Sequence, residues 1–277
     1  MDVLFIGGGN MASALIGGLL ARGAKAAQLC VVDPLPDARE RISSSYSVRT
    51  AEVADDALLR AAEVIVLAVK PQQLKAVATA LGSRVADALV LSIAAGISAV
   101  DLSRWLGDHQ RLVRAMPNTP ALIGKGITGA FAYSGTHGEL PPADRARAAR
   151  VLEAVGALIW CDSESQIDAI TAISGSGPAY VFYFIEALEA AARQLGFDDA
   201  QARQLALTTF SGSVELAQAS EESVAMLRQR VTSPGGTTAA ALAAFEAHKV
   251  SAGIVSGALA AQQRAQQMAE EFGRAEG

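Results

Sequence analysis

One short stretch constrains this chain more than any other. The apolar run Val3-Leu4-Phe5-Ile6 meets Gly7-Gly8-Gly9-Asn10-Met11-Ala12 and then an apolar helical segment over Met11–Ala21. A buried strand that ends in glycines and opens straight into a helix is a tight turn whose backbone comes close to a ligand or to its own neighbours. The pattern G-x-G-x-x-A divides the work: Gly7 makes the turn, Gly9 admits a pyrophosphate to the backbone, and Ala12 lets the helix pack near the strand. The free N–H groups of the helix start, at Asn10 and Met11, then face the phosphates. Such glycines also serve as plain turn residues. The strand before them, the helix after them and a second strand, Leu29–Val32, running into Asp33 favour dinucleotide binding.

The alternation continues. Val64–Val69 is an unbroken apolar run, as in a strand covered on both faces, and Leu89–Ile93 repeats its character. Shorter strands are expected at Arg111–Arg114, Gly129–Tyr133 and Leu158–Cys161, with helices near Asp37–Ser43 and over Pro142–Gly156. Strand and helix in turn imply crossover units and a parallel sheet. After Asp162 the period is helical throughout, over Pro178–Leu195, Asp198–Ala219, Pro234–Phe245 and Val250–Phe272. The expected organisation is α/β: a Rossmann-type parallel-sheet domain over residues 1–162, then an all-α domain over 163–277. The last helix carries no charge from Val250 to Gln263, too apolar for a lone solvated helix, so it is expected to bury itself against a second copy of the chain.

Charge and cysteine usage narrow the partners. With 23 Lys+Arg against 28 Asp+Glu the net charge is −5, and no basic run suggests nucleic acid or a membrane surface. The uncharged stretch Val3–Ala21 is broken by its glycines and preceded by Asp2, so neither a secretory signal nor a membrane span is expected. Cys30 and Cys161 are too far apart in sequence to form a local disulfide framework or metal site, which fits a reducing, cytoplasmic setting. His109, His137 and His248 sit in no motif, and no metal is expected.

Ligands of such sheets bind beyond the carboxyl ends of the strands. Ala68-Val69-Lys70-Pro71 stands there; Lys70 either reaches the cofactor or is a surface lysine. Ala94-Ala95-Gly96-Ile97 offers small residues that suit a flat nicotinamide ring against Ala95. Asp33 is placed to accept from an adenosine ribose, which favours NADH, whereas Arg39 and Arg41 offer cations for a 2′-phosphate or are simply solvated. Met116-Pro117-Asn118-Thr119-Pro120 reads as a rigid cleft wall. Ile173–Tyr180, with Gly175 and Gly177, reads as a helix cap, and its glycines permit either close helix crossing or approach to a ligand.

In the helical part the informative stretch is Val231-Thr232-Ser233-Pro234-Gly235-Gly236-Thr237-Thr238. Ser233 reads as an N-cap and Pro234 as the first helical residue. Gly235 and Gly236 strip side chains from the first turn, leaving N–H donors and a favourable dipole for a small carboxylate. The plainer reading is an ordinary capped helix, but two glycines at a helix start each cost roughly 1 kcal/mol and call for a reason. No lysine lies between Lys125 and Lys249. Reaction without a strong protein acid suits reduction of a pre-activated C=N bond, where donor and acceptor mainly need positioning.

Taken together, Phe5–Ala12, Ala68–Pro71, Met116–Pro120, Ser174–Tyr180 and above all Val231–Thr238 resemble the pyrroline-5-carboxylate reductase family, over essentially the whole chain. The resemblance implies reduction of 1-pyrroline-5-carboxylate to L-proline, with NADPH commonly preferred and NADH often accepted. It implies that Gly236 and Thr237 bind the substrate carboxylate through backbone N–H groups with Ser233 assisting, and that Thr238 hydrogen-bonds the ring nitrogen. It also implies a contact from Glu221 on a partner helix, cofactor contacts at Gly7, Gly9, Asn10, Met11, Ala12, Asp33, Val69, Lys70 and Ala95, and a dimer, in some members a decamer of five dimers. Asp33-Pro34 departs from the hydroxyl that NADPH-preferring relatives often carry, and Asp55 or Asp56 from an asparagine near the cofactor. A β-hydroxyacid dehydrogenase shares the layout but needs a helical-domain lysine that is missing here. A non-catalytic dinucleotide sensor predicts binding without turnover.

Overall fold

The computed structural model describes residues 1–85, 87–133, 135 and 139–274; His137 lies outside the described residues. The first half winds as β1 (Val3–Ile6), α1 (Asn10–Ala21), β2 (Leu29–Val32), α2 (Pro36–Tyr46), β3 (Arg49–Ala51), α3 (Asp56–Ala61), β4 (Val64–Leu67), α4 (Pro71–Leu81), β5 (Leu89–Ser92), α5 (Ala99–Trp105) and β6 (Leu112–Met116). It continues through β7 (Gly126–Tyr133), α6 (Pro142–Leu152), β8 (Gly156–Trp160) and α7 (Ser165–Ile170). The remainder is helical: α8 (Gly177–Gln194), α9 (Asp199–Ala219), α10 (Val224–Arg230), α11 (Thr237–Ala247) and α12 (Val250–Arg274). Among the described residues no helix is long and apolar enough to cross a membrane.

The sheet order is β3-β2-β1-β4-β5-β6-β7-β8, and the first six strands of that order are parallel. β1, β2, β4 and β5 are buried at every position, which is why they read as unbroken apolar runs. Val3, Phe5, Val31, Val66 and Leu91 face one core, completed by Ala12, Leu15, Ile16 and Leu19 of α1 and by α6. Leu4, Ile6, Val32, Ile65, Leu67 and Val90 face the other, covered by α3, α4 and α5. Leu15, Ile16 and Leu19 recur with Ala12 at helical spacing, so α1 lays one stripe on the sheet.

The parallel expectation stops at β6. β7 runs antiparallel to β6, pairing Arg114 with Phe131, and β8 runs parallel to β7. The segment between β6 and β7 holds only a short 3₁₀ turn, Thr119–Ile123. A parallel return needs a crossover of a dozen or more residues, so the chain doubles back instead.

Contacts divide the chain into two compact units: residues 1–176 with 261–277, and residues 177–260. The break falls later than the sequence suggests at 162/163, because a buried ion-pair network holds α7 to the sheet. Arg114 on β6, only 3% exposed, donates to Glu164 at 2.9 Å and to Asp168 at 3.1 Å, and Glu164 also accepts the Ala99 N–H at 2.7 Å. The C-terminal turns of α12 are likewise counted with the sheet unit, where Met268 and Phe272 lie against Gly96. The helical unit has a different character. No residue of α8, α10 or α11 is buried, and Phe182, Tyr183, Val255 and Leu259 are more than half exposed.

A second ion pair fixes α6. Asp144, wholly buried in its first turn, accepts from Arg111 at 2.6 and 2.7 Å and from Arg147 at 2.9 Å. Burial pushes the Asp144 carboxyl up, but the hydrogen bonds from Arg111 and Arg147 outweigh it and hold the group below its ordinary range. Its contribution is therefore complete at neutral pH and is lost as pH falls below about 4. D144N is expected to lose about 3 kcal/mol at pH 7, the low end for breaking a buried pair, since Arg111 is a third exposed. Urea unfolding from pH 7 to 3 should show the gap to wild type closing as pH falls.

Candidate functional site

The glycine turn sits where the strand order reverses, between the carboxyl ends of β1 and β4, the crevice that such sheets use for ligands. Gly7 has φ +101°, and a Cβ there would lie 2.8 Å from the Ala68 carbonyl oxygen, so only glycine fits. Gly9 has the opposite surroundings: no heavy atom lies within 4 Å of the position a Cβ would take. Gly9 caps α1 without any side-chain hydrogen bond, and no acidic residue stands in the first turn. The N–H groups of Asn10, Met11 and Ala12 thus begin the helix with an uncompensated dipole. Asn10 is exposed, Met11 half-buried and Ala12 fully buried against β1. An open cradle of backbone donors at a helix start fits a dinucleotide pyrophosphate.

Asp33 does more than a ribose acceptor would. Its Oδ2 accepts the Gly8 N–H at 2.8 Å and its Oδ1 the Leu35 N–H at 2.9 Å, so the carboxylate braces both the glycine turn and its own loop. Arg39 donates to the carbonyls of Asp33 and Pro34 at 2.7 and 2.9 Å. Arg41 donates to the Gly8 carbonyl and to Ser13 Oγ. The sequence offered these arginines as cations for a 2′-phosphate or as solvated side chains, since nothing at a separation of 33 residues signals a bond to Gly8. Asp55 caps α3 by accepting the Leu58 N–H, and Asp56 pairs with Arg60 and Arg84.

Val69 is half-buried, and Lys70 is exposed at the N-cap of α4 with no side-chain cap bond. Ala95 is half-buried in a turn whose next residue, Gly96, has φ +69°. Asn118 is buried and joins two segments: it accepts the Ile127 N–H at 2.9 Å and donates to the Ser174 carbonyl at 3.1 Å. Ser174 is four residues before Pro178, whose missing N–H leaves that carbonyl without its helical donor, and Asn118 supplies one. The Ile173–Tyr180 stretch is therefore not a helix cap. A π-helical turn, Thr171–Gly175, carries the helical run onward from α7. Gly175 makes room for the Met116 side chain, 2.8 Å from where a Cβ would be, whereas Gly177 faces open space.

Within the helical unit, the loop before α11 departs from expectation at one point. Ser233 is not the N-cap and Pro234 is not helical. The Ser233 carbonyl accepts the Gly236 N–H at 3.0 Å, with Pro234 and Gly235 between them and Gly235 at φ +72°. That is a type II turn, and its left-handed glycine cannot belong to a right-handed helix. The cap is Gly236, φ −81°, with no side-chain bond and no acidic residue in the first turn. The Thr237 and Thr238 N–H groups thus open α11 bare, as the Asn10 and Met11 groups open α1. Ser233 and Thr237 are exposed, and Gly236 and Thr238 are half-buried. Glu221 is exposed in the segment before α10, whereas its neighbour Glu222 pairs with Arg230.

Comparison with known proteins adds independent findings. A family described as pyrroline-5-carboxylate reductase dimerisation matches residues 164–268, and one described as NADP oxidoreductase, coenzyme F420-dependent, matches residues 2–96. The chain is 43% identical to the pyrroline-5-carboxylate reductase of Pseudomonas aeruginosa over 98% of each chain. It resembles the structure of a pyrroline-5-carboxylate reductase from Coxiella burnetii, with TM-score 0.87 and 39% identity over 96% of this chain and 98% of that one. A Plasmodium falciparum pyrroline carboxylate reductase solved with NADP bound gives TM-score 0.85 at 28% identity, over 97% of this chain and 98% of that one.

The contrast between two glycines is testable. G9A, at an ordinary φ of −70° and with open space for its methyl, should keep the melting temperature within about 2 °C yet weaken NADPH binding at least tenfold. G7A should melt markedly lower, because it combines a strained φ with a backbone clash. Thermal melts and cofactor fluorescence titrations on both variants check this.

Proposed function

The chain belongs to the pyrroline-5-carboxylate reductase family, and we infer that it reduces 1-pyrroline-5-carboxylate to L-proline with a nicotinamide dinucleotide as reductant. The observation that carries this reading is the likeness to the Pseudomonas aeruginosa reductase over 98% of the chain. The two bare helix starts, at Gly9 and Gly236, are the chemistry that this substrate and cofactor require.

Gly9, Asn10 and Met11 hold the dinucleotide phosphates on a turn that Gly7 shapes and Ala12 seats against the strand, and Val69, Lys70 and Ala95 line the rest of its path. When bound, the reduced nicotinamide supplies a hydride to the ring imine carbon. The NADP in the Plasmodium falciparum relative supports NADPH as the cofactor, and we propose that NADH is accepted as well. Asp33, engaged by the Gly8 and Leu35 N–H groups, shares its loop with the Arg39 cation, which supports tolerance of a 2′-phosphate there.

The bare N–H groups of Thr237 and Thr238 hold the substrate carboxylate, with the Ser233 hydroxyl assisting and Glu221 contributing from the partner subunit; the Gly236 N–H is already taken by the Ser233 carbonyl, so Gly236 serves the site by its lack of a side chain. The Thr238 hydroxyl donates to the ring nitrogen. A threonine hydroxyl is too weak an acid to protonate that nitrogen by itself, so Thr238 orients the ring and solvent is the ultimate proton source.

A homodimer of helical units, five of which build a decamer, is the proposed assembly. An apolar groove of about 330 Å³ in this unit, lined by Tyr180, Tyr183, Phe184, Ile254 and Gly257, supports it, as do the exposed Val255 and Leu259. Two free, widely separated cysteines support a cytoplasmic setting.

Initial rates of NADPH and NADH oxidation with 1-pyrroline-5-carboxylate, with proline identified as product, test the assignment; no proline from either cofactor would overturn it. T238A should lower kcat/KM for the imine by about 10–100-fold, the loss of one ligand hydrogen bond, with NADPH affinity unchanged. L259D should shift the dimer to monomer in light scattering and abolish turnover, because a buried unpaired carboxylate opposes association.

A further inference from the structure

The two peptide groups that flank the Gly8 Cα are each held by a residue far away in sequence. The Gly8 N–H donates to Asp33 Oδ2 at 2.8 Å, and its carbonyl accepts from the Arg41 guanidinium. Arg41 is itself steadied: its other terminal nitrogen donates to Ser13 Oγ at 3.4 Å, and Ser13 donates to the Tyr46 hydroxyl at 3.1 Å. Tyr46 in turn packs over Gly17, where a Cβ would come within 3.2 Å of its ring. The clasp therefore reaches from α2 across to the first turns of α1.

Gly8 separates the two glycines with opposite tasks, the strained Gly7 and the open Gly9. A glycine peptide has no side chain to fix it and samples both signs of φ readily, so left alone it would let the loop rotate. Rotation there would turn the Gly9–Met11 N–H groups away from a bound pyrophosphate. We propose that Arg41 is a positioning residue of the dinucleotide site, which together with Asp33 fixes the backbone on both sides of Gly8 and so presets the phosphate cradle. It acts through the loop and serves NADPH and NADH alike, because both carry the same pyrophosphate. This rests on the dinucleotide-binding reading above.

The test compares R41A, R41K and S13A with wild type by cofactor titration, steady-state kinetics and hydrogen exchange of the cofactor-free protein. R41A should raise the Kd of NADPH and of NADH by the same factor, about tenfold, with kcat within twofold and the KM for the imine unmoved. R41K keeps the charge but lacks the two-armed fork, and should lose nearly as much. S13A should lose two- to threefold. Exchange at the Gly8 and Gly9 amides should speed up in R41A without cofactor present. Wild-type affinity in R41K would overturn the clasp in favour of simple charge attraction, and loss confined to NADPH would make Arg41 a 2′-phosphate contact instead. Unchanged exchange at Gly8 and Gly9 would overturn it without reference to the cofactor. Failure of wild type to bind either nucleotide would sink the underlying reading, a different result from equal binding by wild type and variants.

Discussion

The approach of Gly7 to the carbonyl of Ala68 is the contact on which the ligand end of the sheet depends. It occurs at the point where strand order reverses, between β1 and its parallel neighbour β4. A chain leaving β1 there turns at once, in a conformation that residues with a Cβ rarely adopt, and enters α1 with its first N–H groups unspent. Every other feature at that end is arranged around this exit. Ala12 keeps α1 close to the strand, and Gly18, whose Cβ would sit 2.3 Å from the Ala154 carbonyl, allows equally close approach further along the same helix. Asp33 reaches back from the end of β2 to hold the turn from the side.

The same physical device appears twice. α1 and α11 both start at a glycine cap, both lack a side-chain cap bond, and neither has an acidic residue in its first turn. Most helices would gain about 1 kcal/mol from a serine or aspartate at that position, as α3, α9 and α10 do here through Asp55, Asp198 and Ser223. Forgoing the cap leaves donors and a positive dipole end for an external anion. The proposed function assigns a pyrophosphate to one of these helix starts and a small carboxylate to the other.

Buried charge is used differently, to fasten elements rather than to react. Arg114 binds α7 through Glu164 and Asp168, and Asp144 binds α6 through Arg111 and Arg147. Both arginine centres lie at or beside β6, the strand where the parallel order ends. Beyond it the sheet turns antiparallel at β7 and has one more crossover, α6, before β8, and the ion pairs fasten that helix and α7 to the strands. They cost desolvation, and they specify geometry in return. Asn118 serves a related end with a neutral group, by filling the donor vacancy that Pro178 creates at Ser174.

Much of this was legible in the sequence because it is local. The four-residue apolar runs, the strand-glycine-helix junction and the uncharged face of α12 follow from period, composition and turn chemistry. The chain writes those directly. The loop before α11 was legible as a glycine-rich entry to a helix but not in its cap, because serine followed by proline fits a helix start and a type II turn equally well until the φ of Gly235 is known. The reversal at β7, the attachment of α7 to the sheet and the double engagement of Asp33 needed the tertiary structure. Each depends on a partner beyond the reach of local pattern, 13 to 21 residues away across the β6–β7 pair and 25 to 54 for Gly8 with Asp33 and Arg114 with α7, chosen by packing geometry. What the sequence determined by itself was the main buried strands, the long helices of the second half and the glycine-rich helix starts, while β3, α3, α4, α5, α7 and α10 left no period strong enough to read. What only the tertiary structure decided was which side chains fix those elements in place, because that selection is made by distance in the folded chain and not by distance along it.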